Sequence, residues 1–173
     1  LIMIGYYFLI IPNMGGLMPS ELNLAELICT RLCHDLAGPI GAVSNGSELL
    51  EEDGDMAKQA FQLIQSSAKN AVSKLMFFRN IYGRINISGE ADLGECKQLA
   101  LGYLEDSKIK LDWPEDHASG ANASVGRKMG KVILLMILVA SESLVKGGDV
   151  LVRISGSEDS SKIDVTAKGA MVR

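Results

Sequence analysis

The chain has 173 residues, 47% of them apolar and 22% charged, a balance typical of a globular protein and long enough for one domain or two small ones, which excludes a disordered chain. A net charge of −4 argues against nucleic acid as the main partner, because neutralising phosphates requires clustered Lys and Arg, and the one basic knot is Arg127-Lys128 with Lys131. Three cysteines, Cys29, Cys33 and Cys96, cannot all pair and match no disulfide scaffold, which points to a reducing cytoplasm.

Leu1 to Pro12 is strongly apolar, yet it is shorter than the roughly 20 residues a bilayer span needs and lacks the leading positive charge of a secretory signal. Residues 1–19 therefore read as an extension ahead of the fold, with no membrane partner. From Ser20, a suitable N-cap, a helix is predicted to about Glu52, with Pro39 kinking rather than ending it. Its periodicity groups Ala25, Cys29, Leu32, Leu36, Ile40, Val43 and Leu50 in one stripe, expected to be the packing face. His34 falls nearly opposite that stripe, with Ala37, Gly38, Gly41 and Asn45 on its own side. Small neighbours leave an outward imidazole open to another protein. A metal site at Cys29, Cys33 and His34 is not expected, since Cys29 belongs to the apolar stripe. Adjacent Cys33 and His34 point about 100° apart on a helix, which argues against a cysteine hydrolase built on the pair.

Asp53-Gly54-Asp55 makes a tight turn into a second helix, Met56 to about Tyr82. Ala57, Phe61, Ile64, Ala68, Ala71, Leu75, Phe78 and Tyr82 alternate in spacings of four and three, the pattern of a coiled-coil-like seam. Two long helices in a hairpin cannot bury all of this apolar surface against each other, so a second copy completing a four-helix bundle is expected. Gly83 to Ala91 reads as a linker. Asp92 then caps a helix through Glu105, Lys108 to Trp113 alternates as a strand up to Pro114, and His117 sits in a polar loop as a solvated side chain. Ser124 to Val145 is expected to be one largely buried helix, too short for a bilayer. Gly147-Gly148 ends it, and Asp149 to Ser155 and Lys162 to Ala167 form a β-hairpin. The fold class is thus α+β: a dimerising helical hairpin at 20–83, then at 92–173 one sheet with helices on one face.

An exposed His-Asp pair on a dimerising hairpin followed by this α/β order resembles the core of sensor histidine kinases. Leu32-Cys33-His34-Asp35-Leu36 with Pro39, Gly41, Asn45-Gly46 and Glu48-Leu49-Leu50, and Lys74-Leu75-Met76-Phe77-Phe78-Arg79 with Tyr82-Gly83, more closely resemble the alphaproteobacterial histidine phosphotransferases of the cell-cycle phosphorelay. The resemblance runs from about Leu22 to Arg173 and implies that further sequence follows. It implies His34 as a phospho-acceptor fed by an aspartyl phosphate, with receiver domains of a hybrid histidine kinase and of response regulators as partners. Asp35 would orient the ring. Arg31 would reach a phosphoryl oxygen or simply pair with Asp35 four residues on. Gly38, Gly41, Asn45 and Glu48 would lie on the docking face. Gly38 stands where kinases with phosphatase activity often carry Thr or Asn to orient a water, which implies transfer without hydrolysis.

Where ATP-using relatives carry magnesium-binding asparagines and an Asp-x-Gly-x-Gly box, this chain has Met136 and Ala140, and Ala167-Lys168-Gly169. The second domain is therefore expected to be a degenerate ATPase-like unit, with no cofactor bound by the chain and Mg2+ supplied by the partner receiver. The competing readings are an ATP-dependent sensor kinase, recognisable by autophosphorylation, and a non-catalytic receiver-docking scaffold, in which His34→Ala would leave binding and signalling intact.

Overall fold

The computed structural model describes residues 21–50, 55–83, 90–114, 124–157 and 160–170. The extension 1–19, the Ser20 cap, Asp53-Gly54, most of the linker and His117 lie outside the described residues. Two helices, α1 (Glu21–Leu49) and α2 (Asp55–Tyr82), are followed by β1 (Glu90–Asp92), α3 (Leu93–Leu104), β2 (Ile109–Asp112), β3 (Ser124–Gly126), α4 (Arg127–Ser143), β4 (Gly148–Ser157) and β5 (Ser160–Lys168). The chain forms two compact units, and the boundary between them falls between Phe78 and Arg79.

In the first unit α1 continues through Pro39, as expected of a proline that bends a helix without ending it. The row of α1 that faces α2 runs through Ile28, Asp35, Pro39, Ala42, Gly46 and Leu49, of which Gly46 is fully buried and the others half-buried. A Cβ at Gly46 would lie 2.7 Å from Ile64 Cγ1 and 3.3 Å from the Ala60 carbonyl oxygen, so the absence of a side chain there lets the two helices approach. On α2 the covered row is Ala60, Ile64, Ser67, Ala71, Lys74 and Phe78. Phe77 and Phe78 are both buried and meet edge to face, their centroids 6.0 Å apart.

Two expectations about these helices are corrected. The apolar stripe of α1 is not the face covered within this chain: Ala25, Cys29, Ile40 and Leu50 are exposed, and only Leu32, Leu36 and Val43 are half-covered. The seam expected on α2 straddles two faces, with Ile64, Ala71 and Phe78 turned inward while Phe61, Ala68 and Leu75 are exposed. Both helices thus bury one row and leave a second, more apolar row about a quarter turn away.

In the second unit Asp92 caps α3 as predicted, its carboxylate accepting from the backbone N–H of Gly94 at 2.6 Å and of Glu95 at 3.3 Å. The main sheet has the order β2-β4-β5, with β2 parallel to β4 and β4 antiparallel to β5. Its core joins Leu93, Cys96, Ala100 and Leu104 of α3, Ile133, Leu134, Ile137 and Leu138 of α4, Val150, Val152 and Val165 of the sheet, and Trp113 just after β2. Gly147, with φ 88°, makes the turn from α4 to β4, where a Cβ would meet the Lys108 carbonyl oxygen at 2.5 Å. Arg153 Nη2 donates to Asp112 Oδ2 at 2.7 Å across β4 and β2, and that hydrogen bond holds the Asp112 carboxyl below its usual range.

A second ladder, β1 antiparallel to β3, corrects the single-sheet expectation. Its short strands occupy what read as linker end and helix start. The α4 helix also starts later than predicted and is amphipathic rather than largely buried, with Val132 and Val139 exposed, the latter at 60%. Among the described residues, no helix is long and apolar enough to cross a membrane.

Candidate functional site

His34 sits on the fourth turn of α1 with its side chain 83% exposed. Residues three, four and seven positions along a helix share a face, so Ala37, Gly38, Gly41, Asn45 and Glu48 continue the strip that His34 begins. Ala37, Gly38, Asn45 and Glu48 are exposed and Gly41 is half-covered. A Cβ at Gly38 or at Gly41 would meet nothing within 4 Å. Among the described residues, packing requires neither glycine. Each carries the helix-propensity penalty of about 0.5–1 kcal/mol relative to Ala, and what it leaves is an open strip on the His34 side.

Asp35 is the next residue along and points a different way. It lies on the row that faces α2, and its side chain is only 9% exposed. His34 Nδ1 and Asp35 Oδ1 are 3.1 Å apart, and Arg31 Nε donates to Asp35 Oδ2 at 3.0 Å. The carboxylate therefore joins a helix-surface imidazole to a guanidinium one turn earlier. A carboxylate offers only acceptors, so this contact requires the Nδ1–H form of the ring, the tautomer whose neutral state carries its lone pair on Nε2. The structure brings Arg31, His34 and Asp35 together, with the lean of Asp35 toward the hairpin holding the ring's inner edge.

One residue at this site enters the sequence analysis only within a motif, with no role of its own. Lys74 of α2, half-buried, donates from Nζ to the Asp35 carbonyl oxygen at 3.2 Å. The signal for it was present in Pro39: a proline removes the N–H that would otherwise serve the carbonyl four residues back, which here is that of Asp35.

Cys29 and Cys33 are exposed, and Cys96 is buried. Burial, reinforced by Glu95 and Asp92, pushes the Cys96 thiol up to about 11. Among the described residues no three of His, Cys, Asp and Glu converge on a common metal position. Met136 and Ala140, both half-covered, lie on α4, and Ala167-Lys168-Gly169 closes β5.

Residues 93–173 match the family model described as the histidine phosphotransferase C-terminal domain. Over 155 residues, 89% of this chain and 71% of the relative, the sequence is 36% identical to the protein phosphotransferase ChpT of Brucella abortus (strain 2308). A solved structure described as a bacterial phosphotransferase at 1.7 Å is also similar, with a TM-score of 0.73 and 36% identity over 91% of this chain and 73% of that one.

Proposed function

Because the chain belongs to the histidine phosphotransferase family, we propose that His34 is the residue on which it carries the phosphoryl group between receiver-domain aspartates. The chain is a protein phosphotransferase of a phosphorelay. The observation that carries the assignment to His34 is the 83% exposed imidazole whose inner nitrogen is held by Asp35 at 3.1 Å.

The transfer follows from that geometry. The neutral ring attacks the phosphorus of an incoming aspartyl phosphate through Nε2. A P–N bond forms as the P–O bond to the receiver's carboxyl breaks, and the carboxylate leaves with the electron pair. The Nδ1 proton stays against Asp35, whose negative charge stabilises the positive character the ring acquires. Running the same step backward delivers the group to another receiver. Little else is asked of the chain beyond position, and the divalent cation that neutralises the oxygens in transfer belongs to the receiver. The strip of Gly38, Gly41, Asn45 and Glu48 is where the receiver docks. Arg31, by holding the other carboxylate oxygen of Asp35 at 3.0 Å, keeps that acceptor aligned.

The functional form is a homodimer, with the exposed rows of α1 and α2 packed against their equivalents in a four-helix bundle. Phe61, 59% exposed, with Val72, Leu75 and Ile40, supplies the apolar surface that a monomer would leave in water. Sedimentation is expected to report twice the chain mass, and Phe61→Asp is expected to report one. The protein works in the cytoplasm, in a relay of the cell-cycle type.

The decisive test mixes the protein with a receiver domain phosphorylated on its aspartate and follows the label. Acid-labile, alkali-stable label on the wild type and none on His34→Ala is the expected result. Label that persists in His34→Ala, or no label on the wild type, overturns the assignment.

A further inference from the structure

We propose that Lys74 is a positioning residue for the His34 reaction, supplying from α2 the hydrogen-bond donor that Pro39 withholds from the Asp35 carbonyl. The inference rests on His34 as the phosphoryl acceptor.

In an α-helix the carbonyl of residue i accepts from the N–H of residue i+4. The residue four after Asp35 is Pro39, which has no N–H and whose ring also crowds that carbonyl. Asp35 therefore lacks that backbone donor in the middle of a helix of 29 residues, on the row turned toward α2. A carbonyl deprived of its i+4 donor in a half-covered position favours a side-chain donor from the facing helix. The partner is Lys74 Nζ at 3.2 Å, 39 residues away in sequence and half-buried. An ammonium has three donors and full charge, which makes it a strong substitute for a backbone N–H.

The position of that carbonyl matters as much as its partner. Asp35 is the residue whose carboxylate holds His34 Nδ1 and accepts from Arg31 Nε. Its side chain fixes the imidazole, and its backbone is in turn fixed to α2 by Lys74. Proline is a site where helices bend, and Pro39 lies within the turn that follows the histidine. Without the cross-hairpin bond, the His34 turn would be free to tilt about that bend, and the ring would tilt with it. Lys74 thus ties the reacting nitrogen to the rigid hairpin. An apolar residue on the buried row would cover Asp35 equally well but would donate nothing to its carbonyl.

Three substitutions separate this role from ordinary packing. Lys74→Met keeps the apolar stem and removes the donor; Lys74→Arg keeps a donor; Pro39→Ala restores the backbone N–H and so makes Lys74 dispensable. Label transfer from a phosphorylated receiver is measured over a range of receiver concentrations. Lys74→Met is expected to slow the maximal rate about tenfold, as a small misplacement of a reacting group does, with the half-saturating receiver concentration unchanged. Lys74→Arg recovers most of the rate. In the Pro39→Ala background Lys74→Met has little further effect. A wild-type rate in Lys74→Met, or an equal loss in both backgrounds, overturns the inference.

The carbonyl 13C shift of Asp35 gives a reading independent of phosphoryl chemistry, and so keeps the fate of Lys74 distinct from that of His34. It is expected to move in Lys74→Met and not in Lys74→Met with Pro39→Ala. An unmoved Asp35 shift in Lys74→Met refutes the bond even if His34 carries label, whereas a moved shift with no label on wild-type His34 refutes the acceptor assignment and leaves the bond standing.

Discussion

Three glycines on one helix are expected to respond in opposite ways to the same added methyl. At Gly38 and Gly41 a Cβ would meet nothing within 4 Å, so Gly38→Ala and Gly41→Ala should each gain the helix preference of Ala over Gly, about 0.5–1 kcal/mol. For a chain of 173 residues that gain is a rise in Tm of about 2 °C. At Gly46 the Cβ would stand 2.7 Å from Ile64 Cγ1 and 3.3 Å from the Ala60 carbonyl oxygen. Neither neighbour is the loose end of a flexible chain, so α1 and α2 must separate, an overpacking cost of about 1–3 kcal/mol. After the same propensity gain the net loss is about 0–2.5 kcal/mol. The assays are a urea melt for stability and rapid-quench transfer of label from a phosphorylated receiver for function. Gly38→Ala and Gly41→Ala are expected to be more stable and slower, because the methyl stands on the docking strip beside His34; Gly46→Ala is expected to be less stable. If Gly38→Ala and Gly41→Ala both transfer label at the wild-type rate, the open strip has no part in docking. If Gly46→Ala melts later than the wild type, the close approach of the two helices is wrong.

Three further outcomes follow from the site and the core. Asp35→Asn replaces an acceptor-only group with an amide that also donates, so the ring loses its preference for the proton on Nδ1; rapid-quench measurements should show transfer slowed by about 100-fold, and a wild-type rate would refute the proton-holding role. Cys96, whose thiol burial pushes from 9.0 to about 11, keeps its proton in the folded state over a range where the unfolded chain has lost it. The stability this contributes is present below pH 9 and falls as pH rises toward 11, by on the order of 2 kcal/mol. The stability gap between wild type and Cys96→Ala should therefore narrow across that window, and parallel curves would contradict it. Because Gly38 offers no side chain to hold a water, release of inorganic phosphate from a phosphorylated receiver should be no faster with His34→Ala protein than without it; a phosphate sensor reading faster release would overturn this.

Much of the fold was legible along the chain because its signals are local. The caps, breakers and periods that mark α1, α2, α3 and the β4–β5 hairpin act over a few residues, and Asp92 caps α3 as its sequence position suggests. The exposure of His34 was also legible, since a residue opposite the apolar stripe and among small neighbours has nothing to bury it. The β1–β3 ladder was not legible, because three-residue strands such as Glu90–Asp92 carry no period and pair with a segment more than thirty residues away.

The sequence by itself determined which residues of each helix share a face, because the rise and turn of an α-helix are set by the backbone alone. It could not determine which face a neighbour covers. Both long helices carry two adjacent rows that could be buried, and the choice was made by the close approach at Gly46 and by the bond from Lys74 to the Asp35 carbonyl. Only the tertiary structure turned Asp35 inward to 9% exposure, and with that decision came its grip on the His34 ring. A preference spread over one helix repeats every turn and is degenerate between neighbouring rows; a single contact between residues 39 positions apart is not, and it breaks the tie.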